Sequence, residues 1–368
     1  MKQQLPGGVI RQDGKLSDGR DIFYYDSKEI SRTATDTRNT VAQPGIGHLR
    51  LDVLVNEWVA IASHRQHRAF LPPKQLCPLC PSNNNKQTEI PDNDYEVVVF
   101  TNRTPALTIP NDGWKLPQLD GLNTPNPEGA GACEVVCYTS DHESSFAKLS
   151  VKQIRSVLEA WKDRDNYLSK LSYIEHIFVF ENRGEEVGVT ISHPHGQIYA
   201  YSFIPPRVKR MLSTAQVHLQ KTGKVLLDDV IAREIKDGKR IITKNSEWIA
   251  FVPYASRYPF EIHIAPLRGV AHMSQLDEKQ SEAFAPIAKE VLSRLDGVFG
   301  IEMAYIASWY QSPVNVGQDC LRLHWQIVSV RRQPGKLKYL SGSESGMGAF
   351  IMDLDPEQSA DQLKAVKL

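Results

Sequence analysis

The stretch SHPHGQIYAYSF, residues 192–203, begins with two histidines that flank a proline and continues as a strand pattern. On an extended chain His193 and His195 point to the same side, because side chains alternate between the two faces of a strand. Pro194 between them stiffens the backbone. The residues HGQI at 195–198 recur 129 positions later as HWQI at 324–327. The stretch therefore predicts a histidine-bearing strand that occurs twice in the chain.

The elements around the two copies recur in the same order. LSVKQ at 149–153 matches LDEKQ at 276–280, at an offset of 127 positions. Both matches open a stretch with helix spacing, which predicts helices over 150–171, with Ser150 as N-cap, and over 277–298. Strand, helix, strand, strand thus occurs twice, and we predict a duplicated α+β unit.

The two predicted copies, roughly 133–203 and 260–330, are not equivalent. Their alignment places Arg322 opposite His193, whereas His324 and Gln326 repeat His195 and Gln197. Only the first copy keeps both histidines, so we expect one reactive half.

Composition excludes several classes of partner. The 368 residues include 43 basic and 43 acidic side chains, so the formal net charge of zero gives no reason to expect nucleic acid or an anionic membrane. The first 30 residues lack the apolar core of a signal peptide, and no apolar run is long enough to span a bilayer. We therefore predict a cytoplasmic protein. Five cysteines in so long a chain favour thiol or metal chemistry over a disulfide scaffold.

Cys77-Pro-Leu-Cys80 in a proline- and asparagine-rich loop suits two thiolates of a tetrahedral zinc site. A Cys-x-x-Cys pair alone is half a site, and an unliganded structural pair of thiols fits the pattern equally well. His142 and His193 are the candidates to complete it. If all four side chains bind, the site is closed and therefore structural.

His195 would then be a free imidazole beside an anchored one, which is the arrangement that a nucleophile needs. A single histidine is more often a satisfied structural residue. The five-residue pattern His-Pro-His-Gly-Gln, the nearby cysteine pair and the unequal copies together favour the reactive interpretation.

These motifs resemble those of the galactose-1-phosphate uridylyltransferase family, the nucleotidyltransferase branch of the histidine triad superfamily. The resemblance rests first on FENRGEEVG (180–188) with HPHGQ (193–197), and extends over most of residues 48–350. It includes NEWVAIASHRQHR (56–68), CPLC (77–80), VFTNRTPAL (99–107), SDH (140–142) and KYLSGSESGMGAF (338–350). It implies an α+β fold of tandem histidine-triad-like domains, each an antiparallel sheet with packed helices. We expect an N-terminal arm over 1–45, a first domain over 46–210 and a second, degenerate domain over 211–368.

The resemblance implies a two-step exchange. His195 would attack the α-phosphorus of a UDP-hexose, release a hexose 1-phosphate and carry UMP until a second hexose 1-phosphate takes it. Gln197 stands where triad hydrolases carry a histidine; its amide can donate to phosphate oxygens but cannot act as a general acid, which favours transfer over hydrolysis.

Other roles are carried over residue by residue. One structural Zn²⁺ would be held by Cys77, Cys80, His142 and His193. The substrate-binding residues implied are Arg65, Arg68, Asn102, Asn182, Gly188, Thr190, His324, Gln326, Lys338 and Glu344. Nucleotide sugar and sugar 1-phosphate are the expected ligands, and a homodimer is the expected assembly.

The sequence departs from the family pattern at three places. A second metal site of some members needs a closing His-x-His pair and a glutamate; here the pair is His324-Trp-Gln326 and the glutamate position holds Met211, so we expect no second metal. Arg103 replaces an aspartate that holds the ribose in several members, and Ser343 replaces an aromatic residue of the sugar-phosphate loop. Two alternatives therefore stay open: a phosphorylase acting on ADP-glucose or a dinucleoside polyphosphate, and a catalytically silent nucleotide-binding protein.

Overall fold

The computed structural model describes residues 2–40, 47–67, 70–108 and 130–368. The strands are β1 Lys2–Gln4, β2 Ile10–Lys15, β3 Asp21–Asp26, β4 His48–Asp52, β5 Glu57–Ile61, β6 Val97–Thr101, β7 Gly131–Cys137, β8 His176–Arg183, β9 His195–Tyr201, β10 Ile241–Lys244, β11 Trp248–Phe251, β12 Phe260–Pro266, β13 Tyr305–Tyr310, β14 His324–Ser329, β15 Arg331–Gln333 and β16 Lys336–Leu337. The α-helices are α1 Val151–Leu168, α2 Pro206–Thr222, α3 Leu226–Asp237, α4 Glu278–Gly297, α5 Gly342–Met347 and α6 Pro356–Ala365. No helix of these residues is long and apolar enough to cross a membrane.

Twelve strands form one continuous sheet in the order β1-β2-β3-β6-β7-β9-β8-β13-β14-β12-β11-β10. All its pairings are antiparallel. Strands β4 and β5 form a separate hairpin, as do β15 and β16. The α+β class with antiparallel sheets and packed helices is confirmed.

The duplication is visible in the centre of the sheet. The first copy is β7, α1, β8 and β9, and the second is β12, α4, β13 and β14. Their strand orders, β7-β9-β8 and β13-β14-β12, mirror each other about the antiparallel pair β8 and β13. Both helices begin as predicted, since Ser150 accepts a hydrogen bond from the Gln153 N–H and Asp277 from the Gln280 N–H.

The two faces of the sheet have different surroundings. On one face, α1 and α4 cover a core that includes Val179 and Ile198 of the first copy and Trp325 of the second. Alternation places His195, Gln197, His324 and Gln326 on the opposite face. The histidine strands of both copies therefore present their polar residues on one common face.

The N-terminal residues differ from expectation. The sequence, which has little periodicity here, predicted an extended arm or partly ordered lead-in over 1–45; in the structure residues 2–26 form three strands at the edge of the sheet. Residues 22–26 of β3 are all buried, so the strand lacks the alternation that marks a half-exposed strand. The predicted domain boundary at residues 210 and 211 falls inside α2.

Candidate active site

His195 stands at the start of β9 with its ring held in one orientation. Its Nδ1 lies 2.7 Å from the carbonyl oxygen of His193, which can only accept, so Nδ1 carries the hydrogen. Burial lowers the pKa of His195 below the ordinary value of 6.5. The ring is therefore neutral at pH 7, and its lone pair is on Nε2, to which no described residue donates a hydrogen bond. This is the protonation state of an imidazole nucleophile.

Gln197 and two further predicted residues lie beside His195 on the same face. The Asn102 amide nitrogen is 3.5 Å from Gln197 Oε1, and Arg65 donates from Nη1 to the Tyr199 hydroxyl at 3.1 Å. Tyr199 follows Gln197 by two residues on β9 and so shares its face. The structure thus brings a cation, two amides and the imidazole to one strand. Arg68 lies outside the described residues.

A cavity of about 510 Å³ adjoins the imidazole, and its lining includes Asn182, Val189, Pro194 and His195. This volume is in the range of small-molecule sites. Burial raises the pKa of Glu181, which also lines the cavity, to about 8. That carboxyl is therefore largely neutral at pH 7 and adds little repulsion toward a phosphate.

The loop that leads from β8 to the histidines contains Gly188 and Thr190. Gly188 has a φ of +82°, a conformation that favours glycine, and no atom lies near where its Cβ would be. The Thr190 carbonyl accepts a hydrogen bond from the Leu71 N–H at 2.8 Å. The loop is thus open at Gly188 and fixed at Thr190.

Cys77, Cys80, His142 and His193 form a group whose four ligand atoms lie within 4.8 Å of one another. Cys80 Sγ is 3.4 Å from Nδ1 of His142 and 3.6 Å from Nδ1 of His193. Sulfur and nitrogen ligands of a tetrahedral zinc are separated by about 3.6 Å. Burial and the neighbouring Cys77 raise the pKa of the Cys80 thiol to about 12, so a thiolate here requires a bound cation. The group offers four ligand atoms to a metal ion.

Two residues that the sequence did not indicate orient His193. Its Nε2 lies 2.8 Å from the Thr139 carbonyl and 2.7 Å from the Tyr95 hydroxyl, and Tyr95 donates its own hydrogen to the Leu79 carbonyl. The Nε2 hydrogen therefore points at acceptors, which leaves the Nδ1 lone pair for the metal. Burial lowers the pKa of His193 to about 4 and keeps the ring neutral. No motif marks Tyr95 or Thr139, because they reach His193 only through folding.

In the second copy the equivalent imidazole is already bonded at both nitrogens. His324 has Nδ1 3.0 Å from the Arg322 carbonyl, and its Nε2 is 2.9 Å from the amide nitrogen of Gln326. Arg207 of α2 in turn donates to Gln326 Oε1 at 2.7 Å and lies over the Tyr310 ring. His324 is 5 % exposed. This half cannot present a free Nε2, and no sequence signal identified Arg207 as the cause.

The remaining residues singled out from the sequence do not contact the His195 strand in any described hydrogen bond. Lys338 and Glu344 are buried and paired with each other at 2.9 Å, and no described hydrogen bond links them to the His195 strand. Met211 packs against Cys320 and Leu321. Arg103 lies 3.6 Å from Glu89.

Two family profiles match consecutive parts of the chain. The profile described as galactose-1-phosphate uridyl transferase, N-terminal domain, matches residues 36–205. The corresponding C-terminal domain profile matches residues 212–367. Together they cover both copies of the duplicated unit.

Proteins with this description are similar to the present chain over most of their length. A galactose-1-phosphate uridylyltransferase of Streptomyces lividans is 37% identical over 369 residues, which span 96% of each chain. One of Thermotoga maritima is 33% identical over 324 residues, or 87% of this chain and 98% of that one. A solved structure described as a uridylyltransferase has a TM-score of 0.74 at 29% identity, covering 86% of this chain and 97% of its own. An ADP-glucose phosphorylase from Arabidopsis thaliana with bound ADP-glucose has a TM-score of 0.65 at 25% identity, covering 88% of this chain and 100% of its own.

Proposed function

The chain belongs to the galactose-1-phosphate uridylyltransferase family, and on that premise we propose that it exchanges UMP between a UDP-hexose and a hexose 1-phosphate. One observation carries the proposal. His195 donates from Nδ1 to the His193 carbonyl, so its lone pair is on Nε2, and the residue lines the cavity of about 510 Å³. An imidazole so oriented can form a covalent bond to phosphorus.

The exchange consists of two displacements at the same phosphorus. The Nε2 lone pair attacks the α-phosphorus, the bond between that phosphorus and the bridging oxygen breaks, and hexose 1-phosphate leaves with the bonding electrons. The second hexose 1-phosphate reverses the step with its own phosphate oxygen. The leaving group is a phosphate in the first step and the neutral His195 imidazole in the second, so neither step needs a general acid.

Gln197, Arg65 and Asn102 would bind the nucleotide portion. The Gln197 amide donates to phosphate oxygens and cannot protonate a leaving group. Arg65 supplies a positive charge that stabilises the negative charge on the pentacoordinate phosphorus of the transition state. Asn102, within 3.5 Å of Gln197, is positioned to contact the nucleoside.

We further propose that the metal is Zn²⁺ and that its role is structural. Two thiols and two imidazoles are donors that zinc prefers, and four such donors support a tetrahedral site. Bound zinc would fix the His193 ring. Since the His193 carbonyl accepts from His195 Nδ1, it would thereby fix the position of the nucleophile.

The proposal is tested by a covalent adduct. Incubation with UDP-glucose should increase the mass of the protein by one UMP, and addition of galactose 1-phosphate should remove it. His195→Ala should form no adduct, whereas His218→Ala, at a histidine that bonds Asp229 on the adjoining helix, should form it normally. Absence of an adduct with every nucleotide sugar tried would contradict the mechanism.

The phosphorylase alternative is supported by the similarity to the ADP-glucose phosphorylase. The same experiment separates it from the exchange if it is run with ADP-glucose and inorganic phosphate. Adenylylation of His195 that phosphate discharges would replace uridylyl transfer as the function. Nucleotide binding without any adduct would indicate the silent protein.

A homodimer and a cytoplasmic location complete the proposal. The exposed apolar side chains of Tyr339, Leu340 and Met347 are consistent with a subunit contact. Light scattering should give twice the chain mass of 41.4 kDa, and a single chain mass at micromolar concentration would contradict the dimer.

A further inference from the structure

The first 35 residues precede the matched family profile, yet they contact the strand that leads to Asn102. Strand β3 pairs with β6 from Tyr25 opposite Val97 to Ile22 opposite Phe100. Asn102 directly follows β6. The N-terminal segment therefore forms one side of the nucleotide-binding end of β6.

From this N-terminal segment, Arg20 reaches the peptide group next to Asn102. Its Nη1 donates to the Thr101 carbonyl at 2.8 Å, in the peptide group that joins Thr101 to Asn102. Its Nε donates to Asp18 at 2.8 Å, and its Nη2 donates to Glu89 Oε2 at 2.6 Å. The side chain is 12% exposed. A planar guanidinium held by two carboxylates is fixed in space, so it fixes the carbonyl that it binds.

Glu89 connects this contact to two further arginines. Arg38 donates to Glu89 Oε1 at 2.8 Å, and Arg103, next to Asn102 on its other side, lies 3.6 Å from the same oxygen. The Glu89 N–H donates to the Pro78 carbonyl within the cysteine loop. Glu89 thus ties the N-terminal segment, the cysteine loop and the residue after Asn102 together.

The peptide group that joins Thr101 to Asn102 is hydrogen-bonded at both ends, by Arg20 at its carbonyl and by Cys133 at its N–H. The Asn102 N–H donates to the Cys133 carbonyl at 2.8 Å, and the Asn102 Oδ1 accepts from the Thr104 N–H at 2.9 Å. Its side-chain amide nitrogen lies 3.5 Å from Gln197 Oε1. We propose that Arg20, Arg38 and Glu89, here called the arginine clamp, are positioning residues that preorganise Asn102 for the nucleoside. This inference rests on the proposed function, in which Asn102 contacts the nucleotide.

The two half-reactions should respond differently to loss of the clamp. Formation of the nucleotidyl enzyme starts from free protein, so its kcat/KM includes the full nucleoside contact. Discharge to a hexose 1-phosphate starts with the nucleotide already bound, and a contact present in both the ground state and the transition state cancels. The clamp should therefore affect kcat/KM for the nucleotide sugar and leave kcat/KM for the sugar 1-phosphate unchanged.

The test compares Arg20→Met with Arg11→Met. Arg11 belongs to the same segment, is similarly buried and also bonds two acidic residues, but its partners are Asp13 and Asp163 of α1. We expect kcat/KM for UDP-glucose to fall about tenfold in Arg20→Met, the effect of one misplaced hydrogen bond. Arg11→Met should keep the wild-type value despite a similar loss of thermal stability.

Glu89→Gln provides a second variant that keeps the side-chain shape, and it should lower kcat/KM for UDP-glucose in the same way. Equal values for Arg20→Met, Arg11→Met and wild type would overturn the inference, as would equal losses in both half-reactions. The affinity for UMP, measured by calorimetry, should weaken in Arg20→Met and Glu89→Gln but not in Arg11→Met. If wild type binds UMP but forms no adduct, the proposed function fails while the UMP comparison still decides the role of the clamp.

Discussion

At the scale of single residues, the two copies differ in the bonding of one ring nitrogen. His195 and His324 occupy equivalent positions, and both direct Nδ1 to the carbonyl two residues before. They differ at Nε2, which in His324 accepts from the Gln326 amide. Gln326 is drawn into this bond because Arg207 holds its oxygen. Gln197 has no such cation on its oxygen among the described contacts, so its amide stays available to a phosphate.

Gly196, between the proposed nucleophile His195 and Gln197, allows a close approach that no other residue permits. A Cβ there would lie 1.9 Å from the Tyr138 hydroxyl and 2.7 Å from the Phe180 carbonyl. We expect Gly196→Ala to displace β9, to lower the free energy of unfolding by about 2 kcal/mol and to abolish adduct formation. Urea unfolding and mass spectrometry measure the two effects. Gly346→Ala, where nothing lies within 4 Å of the added carbon, should leave the free energy of unfolding within about 0.5 kcal/mol of wild type.

At the scale of elements, the sequence predicted what is encoded locally. The caps at Ser150 and Asp277 begin the two helices because capping depends on residues within one turn. Strand β3 was missed because it is buried on both faces and so has no period. Tyr95 and Thr139 were missed for another reason: they contact His193 from distant points of the chain, and only the register of the sheet brings them there.

The cysteine loop is the element whose shape should depend most on the metal. Two of the four ligands come from this loop, and the same ion would anchor the turn that carries His195. We expect protein purified without chelator to contain about one zinc per chain. Cys80→Ser should lose the zinc and lower the rate of adduct formation. Metal analysis and stopped-flow mass spectrometry check both.

Cys320→Ser is the matched control, because this buried thiol packs with Ala215 and Leu321 in the second half. Cys320→Ser should keep the zinc and the wild-type rate of adduct formation. Wild-type protein with well under half an equivalent of zinc would contradict the structural site.

At the scale of the whole molecule, the duplication yields one sheet with two unequal halves. The pair β8 and β13 joins them through main-chain hydrogen bonds, and α1 packs against the segment that leads into α4. Phe178 of the first half contacts Tyr310 of the second, whose ring stacks on His324. The second half therefore continues the sheet and core of the half that carries His195.

The junction of the halves contains a group that should make folding sensitive to acid. His176 of β8 is fully buried, and neither ring nitrogen has a hydrogen-bond partner among the described residues. Burial lowers its pKa to about 3, with the neighbouring His272 contributing, and Asp165 also lies close to His272. His176 is thus neutral in the folded protein.

Because the pKa of His176 in the folded chain is below its unfolded value of 6.5, the unfolded chain binds a proton that the folded chain does not. Its contribution to stability is therefore fully present above pH 6.5 and is lost as pH falls toward about 3. Over this range the free energy of unfolding should fall by about 1.4 kcal/mol for each unit by which the pH falls. His176→Phe should remove that part of the slope in urea unfolding between pH 6 and 4, whatever its effect at pH 7. Val179→Ala, at a buried residue of the same strand, should lower stability without changing the slope. A slope in His176→Phe equal to that of wild type would show that folding does not lower the pKa of His176.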